Sequence, residues 1–193
     1  MRRLKVLEHM SLDGVIQHAT DEDFPYKEWF VPFMSEDGGR FVLDAQGEDF
    51  DLLLGRRTYD DWSVQWGRDG TGPFAEAFAR CTKYVAAHRT DSLDWGPVVA
   101  LGPDLAGDVR RLKGAGGPDL VVWGSSTLTS VLLEAGLVDE LVLLIYPVLL
   151  GVGKRLFSPA TPAQNLVLLT SATTTTGVTV NRYKQAGPVP TQR

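Results

Sequence analysis

Short apolar runs separated by longer amphipathic stretches are the main feature of the hydrophobic pattern. Residues 50–54, 120–123 and 141–146 form apolar runs that are too short for helices and rich in β-branched or large apolar side chains. Such runs are typical of strands that are covered on both faces. A looser alternation predicts a first strand over residues 4–10. The pattern therefore favours an α/β domain with a buried sheet.

The stretch after residue 123 predicts a helix. Four apolar residues recur there at i, i+3, i+4 and i+7, which places one apolar stripe along the helix: Leu128, Val131, Leu132 and Ala135. Gly136 follows the stripe at a position that is typical of a left-handed C-terminal cap. Strand, glycine turn, helix and strand thus follow one another. A single glycine at such a turn is also common in ordinary α/β crossovers, and that alternative stays open here.

An acidic and aromatic segment occupies residues 21–47. Its aromatic side chains have helical spacing after Pro25, which can occupy the first position of a helix. We therefore predict a helix of two to three turns that carries Tyr26, Trp29, Phe30 and Phe33. A short helix is expected next, over residues 37–45. Trp29, Phe30 and Phe33 could wall a flat heterocycle, although side chains at this spacing more often belong to the core.

The middle of the chain continues the alternation of helices and strands. Residues 73–81 predict a helix, residues 83–87 a strand, and residues 95–101 contain another short strand. Asp104 is expected to cap a helix that carries apolar side chains on one face. This order agrees with a sheet whose parallel strands are connected by helices.

The last third of the chain predicts an antiparallel hairpin. Two β-rich runs, residues 166–175 and 178–184, flank the turn signal Thr176-Gly177. The expected fold is therefore a three-layer α/β domain with flanking helices and a mixed, mostly parallel central sheet of about eight strands. We expect a single domain over residues 1–186 and a loose tail over residues 187–193.

The charge balance argues against nucleic-acid binding. The 193 residues carry 19 basic and 24 acidic side chains, a net charge of −5, without a long run of like charges. The apolar runs are shorter than the roughly 18 residues that a membrane span needs, and charged residues interrupt any signal-peptide core. We therefore expect a cytoplasmic protein without a membrane partner. The single cysteine, Cys81, and the isolated histidines predict neither a disulfide nor a metal site.

Two strand-to-helix turns carry the candidate chemistry. A helix that starts after such a turn presents free N–H groups and the positive end of its dipole, which suit an anion. Gly55 precedes Arg56, Arg57 and Thr58 at the first of these turns. Two guanidinium groups at a helix start oppose the dipole unless an anion is bound, and they can hold a phosphate in a fork. This favours a phosphate site, with a solvated first turn as the alternative.

Four segments together resemble the dihydrofolate reductase-like superfamily. They look most like the reductase (RibD C-terminal) domain of riboflavin-biosynthesis deaminase/reductases and its stand-alone relatives. The segments occur in family order and span nearly the whole chain: MSLDGVI at residues 10–16, DLLLGRRTYDDW at 51–62, KYVAAHR at 83–89 and GSSTLTSVLLEAGLVDELVLLIYPVLLGVGKRLF at 124–157. The resemblance implies the dihydrofolate reductase-like fold, with NADPH bound across the carboxyl ends of the central strands.

The same resemblance implies three contact regions for NADPH. The first turn would contact the pyrophosphate and the adenosine phosphate, with Arg56 on the 2′-phosphate. A second region would lie at the adenosine side. The second turn would form another phosphate loop, in which Ser125 replaces the second of two adjacent glycines found in many members. The residues concerned are Gly55, Arg56, Arg57 and Thr58, then His88, Arg89 and Thr90, then Gly124, Ser125, Ser126, Thr127 and Leu128.

For the chemistry, the resemblance places residues 10–16 against the nicotinamide. Asp13 is the carboxylate nearest that position, and we consider it a candidate catalytic residue for substrate contact or proton transfer. An Asx turn before Gly14 is an equally weighted alternative. Folate-reducing members use an acid from the first long helix, and no unique residue aligns with it here; the open candidates are Asp23, Glu28 and Glu36.

The implied activity is that of an NADPH-dependent reductase. It would transfer a hydride to a small heterocyclic substrate, pyrimidine- or pterin-like, or to a carbonyl compound, as in the 5-amino-6-(5-phosphoribosylamino)uracil reductase step of riboflavin biosynthesis. The alternative is a non-catalytic dimeric nucleotide-binding protein that retains the fold. A deaminase half is excluded, because its zinc signature needs more than one cysteine. The resemblance also implies a homodimer, with contacts expected near residues 146–150.

Overall fold

A computed structural model describes residues 1–18, 23–68, 70–87, 91–157, 159 and 161–190. These residues form eight β-strands and five α-helices, with a 3₁₀ turn at Val31–Phe33 and a π-helical segment at Ser63–Arg68. In chain order the elements are β1 (Leu4–Ser11), α1 (Glu36–Gln46), β2 (Phe50–Gly55), α2 (Arg56–Trp62), α3 (Gly72–Arg80), β3 (Lys83–Ala86), β4 (Val98–Leu101), α4 (Leu105–Ala115), β5 (Asp119–Trp123), α5 (Ser126–Glu134), β6 (Glu140–Tyr146), β7 (Gln164–Thr173) and β8 (Thr179–Pro188).

The strands form one sheet with the order β4-β3-β2-β5-β1-β6-β8-β7. The six strands from β4 to β6 run parallel to one another. Strand β8 pairs antiparallel with β6 on one side and with β7 on the other. The predicted mixed sheet with flanking helices and a C-terminal antiparallel hairpin is therefore confirmed.

The helices cover both faces of the sheet. One core cluster contains Val42 of α1, Tyr59 of α2 and Phe78 of α3. The cluster on the other face contains Val109 of α4 and Leu132 of α5. Strands β2 and β5 are neighbours, yet the helices that follow them lie on opposite faces. In open α/β sheets such a switch opens a crevice at the carboxyl ends of the strands, where ligands bind.

A buried ion pair ties segments together near the amino ends of the strands. Arg2 and Asp51 are only 4% and 7% exposed, and their side chains form a salt bridge. Arg2 Nε also donates to the carbonyl oxygen of Pro118. The N–H of Thr82 donates to Asp51 Oδ1 at 2.8 Å. Residues that precede β1, β3 and β5 are therefore linked to β2 through one carboxylate and one guanidinium group.

The predicted helix after Pro25 is wrong. The segment forms turns that lead into the 3₁₀ turn Val31–Phe33. Glu28 has a φ of 55°, outside the right-handed helical region, and Pro32 would remove a hydrogen-bond donor from a helix interior. The aromatic side chains form ring contacts with Tyr146 of β6 instead; they are Trp29, Phe30 and Phe33.

The buried face of α5 differs in part from the predicted stripe. Leu128 and Leu132 are buried as expected, and Gly136 has the left-handed φ of 64° that its capping position requires. Val131 is 38% exposed, however, whereas Leu133 is buried in the core cluster of that face. The apolar arc of α5 is therefore centred on the 132–133 side of the helix.

Strand β8 ends at Pro188, later than the predicted end at residue 184, because its last residues pair with β7.

Within the described ranges, no helix has both the length and the apolar character that crossing a bilayer requires.

Candidate functional site

The two predicted phosphate turns meet at the carboxyl ends of β2 and β5. Leu53 of β2 is in register with Val122 of β5, so the glycines that follow them lie side by side. A Cβ atom placed on Gly55 would lie 3.5 Å from the hydroxyl oxygen of Ser125. The structure therefore brings residues 55–58 and residues 124–128 together at the topological crevice.

The turn before α5 contains two consecutive left-handed residues. Gly124 has a φ of 67° and Ser125 a φ of 63°, a conformation that normally favours glycine. Ser125 Oγ accepts a hydrogen bond from the N–H of Leu128 at 3.3 Å and so caps the helix. Ser125 thus keeps the backbone conformation of a glycine pair and adds a hydroxyl group that faces Gly55.

The remaining side chains of this turn have different surroundings. Those of Ser126 and Leu128 are buried, and Leu128 belongs to the core cluster beneath the turn. Thr127 is exposed. Of the predicted loop residues after Gly124, Ser125 and Thr127 are therefore the ones whose side-chain hydroxyls can face a ligand.

Arg56 begins α2 and is held by acidic neighbours. Its Nε donates to both carboxylate oxygens of Asp60, at 2.8 and 3.0 Å. Its Nη1 donates to the carbonyl oxygen of Asp91 at 2.7 Å. Arg57 is exposed and Thr58 is half-buried. A phosphate bound at Arg56 would therefore compete with the carboxylate of Asp60 for the guanidinium group.

The adenosine-side residues, His88, Arg89 and Thr90, lie outside the described residues. The strand that leads to them ends next to the first turn, since Ala86 is in register with Gly55.

Asp13 holds the loop after β1 against the loop after β6. Ser11 Oγ donates to its carboxylate at 2.6 Å, and the N–H groups of Leu150 and Gly151 donate at 3.1 and 2.9 Å. Arg155 forms a salt bridge with it at 3.3 Å. The hydrogen bonds from Ser11, Leu150 and Gly151, of which that from Ser11 has the largest effect, hold the pKa of Asp13 well below its usual range. An ionised, engaged carboxylate has no proton to give, so the contacts favour a structural role over proton transfer.

The sequence reasoning missed a polar pair, His9 and Tyr146. The two side chains lie in a cluster of rings with Trp123 and Phe30, which we call the aromatic wall. The ring of His9 stacks on that of Trp123 with centroids 5.5 Å apart and an interplanar angle of 19°. His9 Nδ1 lies 2.6 Å from Tyr146 Oη. Burial lowers the pKa of His9 to about 4 and raises the pKa of Tyr146. The pair is therefore neutral at physiological pH and can exchange hydrogen bonds with a flat ligand. The sequence contained one signal for this placement. His9 lies two residues after Leu7 in β1, and side chains at this spacing share a face of the strand.

Glu8 is the second residue that was missed. It lies at the end of β1 that faces the crevice, and its side chain is buried. In the sequence it is one of two charged residues, with Lys5, in a largely apolar strand. No local pattern distinguishes it from a residue on a solvated face.

These features define a class of protein: a dihydrofolate reductase-like fold with its crevice at the switch point of the sheet. A solved structure of dihydrofolate reductase from Enterococcus faecalis, complexed with NADP(H) and RAB-propyl, matches with a TM-score of 0.64 and 14% identity. The match covers 95% of this chain and 96% of that one. A protein provisionally assigned to riboflavin biosynthesis, from Shewanella sp. PV-4, matches with a TM-score of 0.74 and 21% identity over 95% and 99% of the two chains.

The family follows from the sequence match. The model of the RibD C-terminal domain matches residues 4–180, and the chain belongs to this family of reductase domains. Among curated proteins, the uncharacterised protein YyaP of Bacillus subtilis (strain 168) is 28% identical over 181 residues, 92% of each chain. The family resemblance that the four sequence segments indicated is confirmed.

Proposed function

We propose that the protein is an NADPH-dependent reductase that transfers a hydride to a small heterocyclic or carbonyl substrate. The observation that carries this proposal is the junction of two glycine turns at the switch point of the sheet. One turn continues into Arg56 and Arg57, and the other opens α5. Close backbone approach, helix N-terminal N–H groups and guanidinium groups are the chemistry that a dinucleotide pyrophosphate requires.

The donor set at the junction fits a phosphorylated dinucleotide. Gly55 and Gly124 let the ligand approach the backbone, Arg56 and Arg57 supply positive charge, and Ser125 adds a hydroxyl group. NADPH, when bound, supplies the hydride. The protein contributes binding, orientation and a site from which water is excluded.

The aromatic wall supports a flat heterocyclic substrate. His9 and Trp123 are stacked, and Tyr146 adds a hydroxyl group that can donate or accept a hydrogen bond. A planar pyrimidine or pterin ring would find both a stacking surface and neutral polar partners there. A substrate of the 5-amino-6-(5-phosphoribosylamino)uracil type, and with it a role in riboflavin biosynthesis, is therefore part of the proposal.

The phosphate assignment predicts a clear dependence on Arg56. Arg56→Ala should weaken NADPH binding by about 10- to 100-fold, the effect expected when a charge-assisted hydrogen bond of about 1.5–3 kcal/mol is lost. NADH, which has no 2′-phosphate, should lose little affinity. Calorimetric titration of the purified protein with both nucleotides measures the two effects directly.

Asp60→Asn is the matched variant. It removes the carboxylate that competes for Arg56 and should strengthen NADPH binding relative to NADH. If Arg56→Ala weakens both nucleotides equally, the 2′-phosphate assignment is wrong. If neither nucleotide binds the wild type at millimolar concentration, the reductase proposal is wrong. Tight binding without turnover of any heterocycle tested would favour the non-catalytic nucleotide-binding alternative.

We also propose that two copies of the chain associate through β7. This edge strand has four consecutive apolar residues, each between 40% and 51% exposed: Leu166, Val167, Leu168 and Leu169. An exposed apolar edge strand is a template for pairing with another chain. Tyr146, in the segment where contacts were expected from the sequence, is buried within the chain, whereas Leu149 is exposed.

Light scattering during size-exclusion chromatography tests this assembly. The wild type should have the mass of a dimer at micromolar concentration, and Leu168→Lys should have the mass of a monomer because a charge then lies in the apolar contact. Val99→Lys is the control, since Val99 is exposed to a similar degree on β4 at the opposite edge of the sheet. A monomeric wild type, or a dimer that survives Leu168→Lys, would contradict the proposed contact.

A further inference from the structure

Glu8 lies where β1 extends past the end of β5. The last paired residues of these two strands are Leu7 and Trp123. On the other side of β1, Glu8 is in register with Leu143 of β6. Gly124, which opens the second phosphate turn, is therefore the residue next to Glu8. A Cβ atom placed on Gly124 would lie 3.3 Å from Glu8 Oε2.

One oxygen of this carboxyl group is unsatisfied. Glu8 is only 4% exposed, and its Oε1 accepts a hydrogen bond from the N–H of His9 at 3.0 Å. Across the part of the chain that the structure describes, Oε2 has no hydrogen-bond partner. Buried polar atoms without a partner are rare in folded proteins and call for a specific explanation. A bound ligand at the adjacent turn would supply the missing partner.

The surroundings of Glu8 favour its protonated form. Burial raises its pKa from 4.5 to about 8, and the N–H of His9 opposes this shift only in part. The nearest cations along the chain bond elsewhere: Lys5 of β1 to the carbonyl oxygens of residues 45 and 46, and Arg3, which precedes β1, to Asp119. The residues on either side of Glu8, Gly124 after β5 and Leu143 of β6, carry no charge, and the first turn of α5 contributes uncharged residues.

We propose that Glu8 is a cofactor-binding residue of this site, whose carboxyl group contacts the nicotinamide end of the bound dinucleotide. This inference rests on the proposed reductase function and adds a residue to it. Arg56 and Arg57 follow β2, on one side of β5, whereas Glu8 lies on β1, on the other side. Phosphates held at the arginines therefore leave the ring end of the ligand beside Glu8.

The charge difference between the two nucleotides tests this placement. The nicotinamide ring is positive in NADP⁺ and neutral in NADPH, so ionised Glu8 should favour NADP⁺ selectively. In calorimetric titrations from about pH 6 to about pH 9, the ratio of NADP⁺ to NADPH affinity should rise about tenfold, as expected for a shift of one pKa unit. Glu8→Gln should make the ratio independent of pH. Glu134→Gln, at the far end of α5, should behave like the wild type.

The outcomes separate this inference from the proposed function. If both nucleotides bind but the wild-type ratio does not change with pH, Glu8 is not at the ring and the inference is wrong, while the reductase proposal stands. If neither nucleotide binds, both are wrong. A rise in the ratio that survives Glu8→Gln would assign the effect to another group and would also overturn the inference.

The protonated state can be measured in the ligand-free protein. Because the pKa of Glu8 is higher in the folded state, the folded protein retains a proton that the unfolded chain releases between pH 4.5 and about 8. The free energy of unfolding should therefore fall as pH rises through this window. Urea denaturation should show a shallower fall for Glu8→Gln, which also verifies that the variant folds. Equal slopes for the two proteins would mean that Glu8 is already ionised, so that its charge could not change over the titrated pH range, and would overturn the inference.

Discussion

Replacing Asp51 with alanine should lower the free energy of unfolding by about 3–5 kcal/mol, the range observed when one partner of a buried ion pair is removed. Arg2 would keep its positive charge in a buried position without a counter-ion, and the N–H of Thr82 would lose its acceptor. Urea denaturation followed by circular dichroism measures the loss.

An exposed ion pair provides the comparison. Arg40 and Glu36 form a salt bridge on α1 in which the side chains are 66% and 88% exposed. Arg40→Ala should cost no more than about 0.5 kcal/mol, because solvent already screens this pair. If Asp51→Ala costs no more than Arg40→Ala, water must reach Arg2 in the folded state and the buried pair does not hold the amino ends of the strands together.

Substituting Gly153 with alanine should destabilise the fold by about 3 kcal/mol, the sum expected for overpacking and backbone strain. A Cβ atom there would lie 2.7 Å from Val15 Cγ1 and 2.8 Å from Phe24 Cε2, both buried side chains. The φ of 117° is also unfavourable for alanine. For a chain of this length the melting temperature should fall by about 6–12 °C, which differential scanning calorimetry would detect.

Gly151→Ala distinguishes the cost of the steric contact from the cost of the backbone strain. It too has a positive φ, of 74°, but a Cβ atom there would have no neighbour within 4 Å. Gly151→Ala should therefore cost only about 1 kcal/mol, the strain of the left-handed conformation. Equal losses at the two glycines would show that Val15 and Phe24 move aside without cost.

The sequence was sufficient where a single local property determines the structure. The apolar runs of β2, β5 and β6 were correctly predicted as strands, and glycines at the ends of the first two, Gly55 and Gly124, lie at the turns into the following helices. Gly136 and Asp104 marked helix ends that the structure confirms, because each acts through its own backbone or side chain. The family resemblance implied that both turns contact one ligand, and the structure places Gly55 of the first turn next to Ser125 of the second.

The sequence was insufficient where contacts between residues far apart in the chain determine the structure. Tyr26, Trp29, Phe30 and Phe33 have helical spacing, yet the last three contact Tyr146 from a segment of turns. Pro32 within this segment was evidence against a helix. The partners of Arg2 and the strands that flank Glu8 come from segments far along the chain, so neither the buried pair nor the unsatisfied carboxyl group could be recognised locally. Asp13 was identified by its place in a motif, but the loop that binds it begins more than a hundred residues later.

The central position of β1 has a consequence for biosynthesis. The first strand of the chain lies between β5 and β6, which begin at Asp119 and Glu140. The ribosome synthesises the chain starting at its amino terminus. The apolar side chains of β1 therefore have no neighbouring strand until most of the protein has been made. The nascent chain must therefore be kept from aggregating during that interval, and a fragment that stops before residue 119 lacks both strands that would bury its first one.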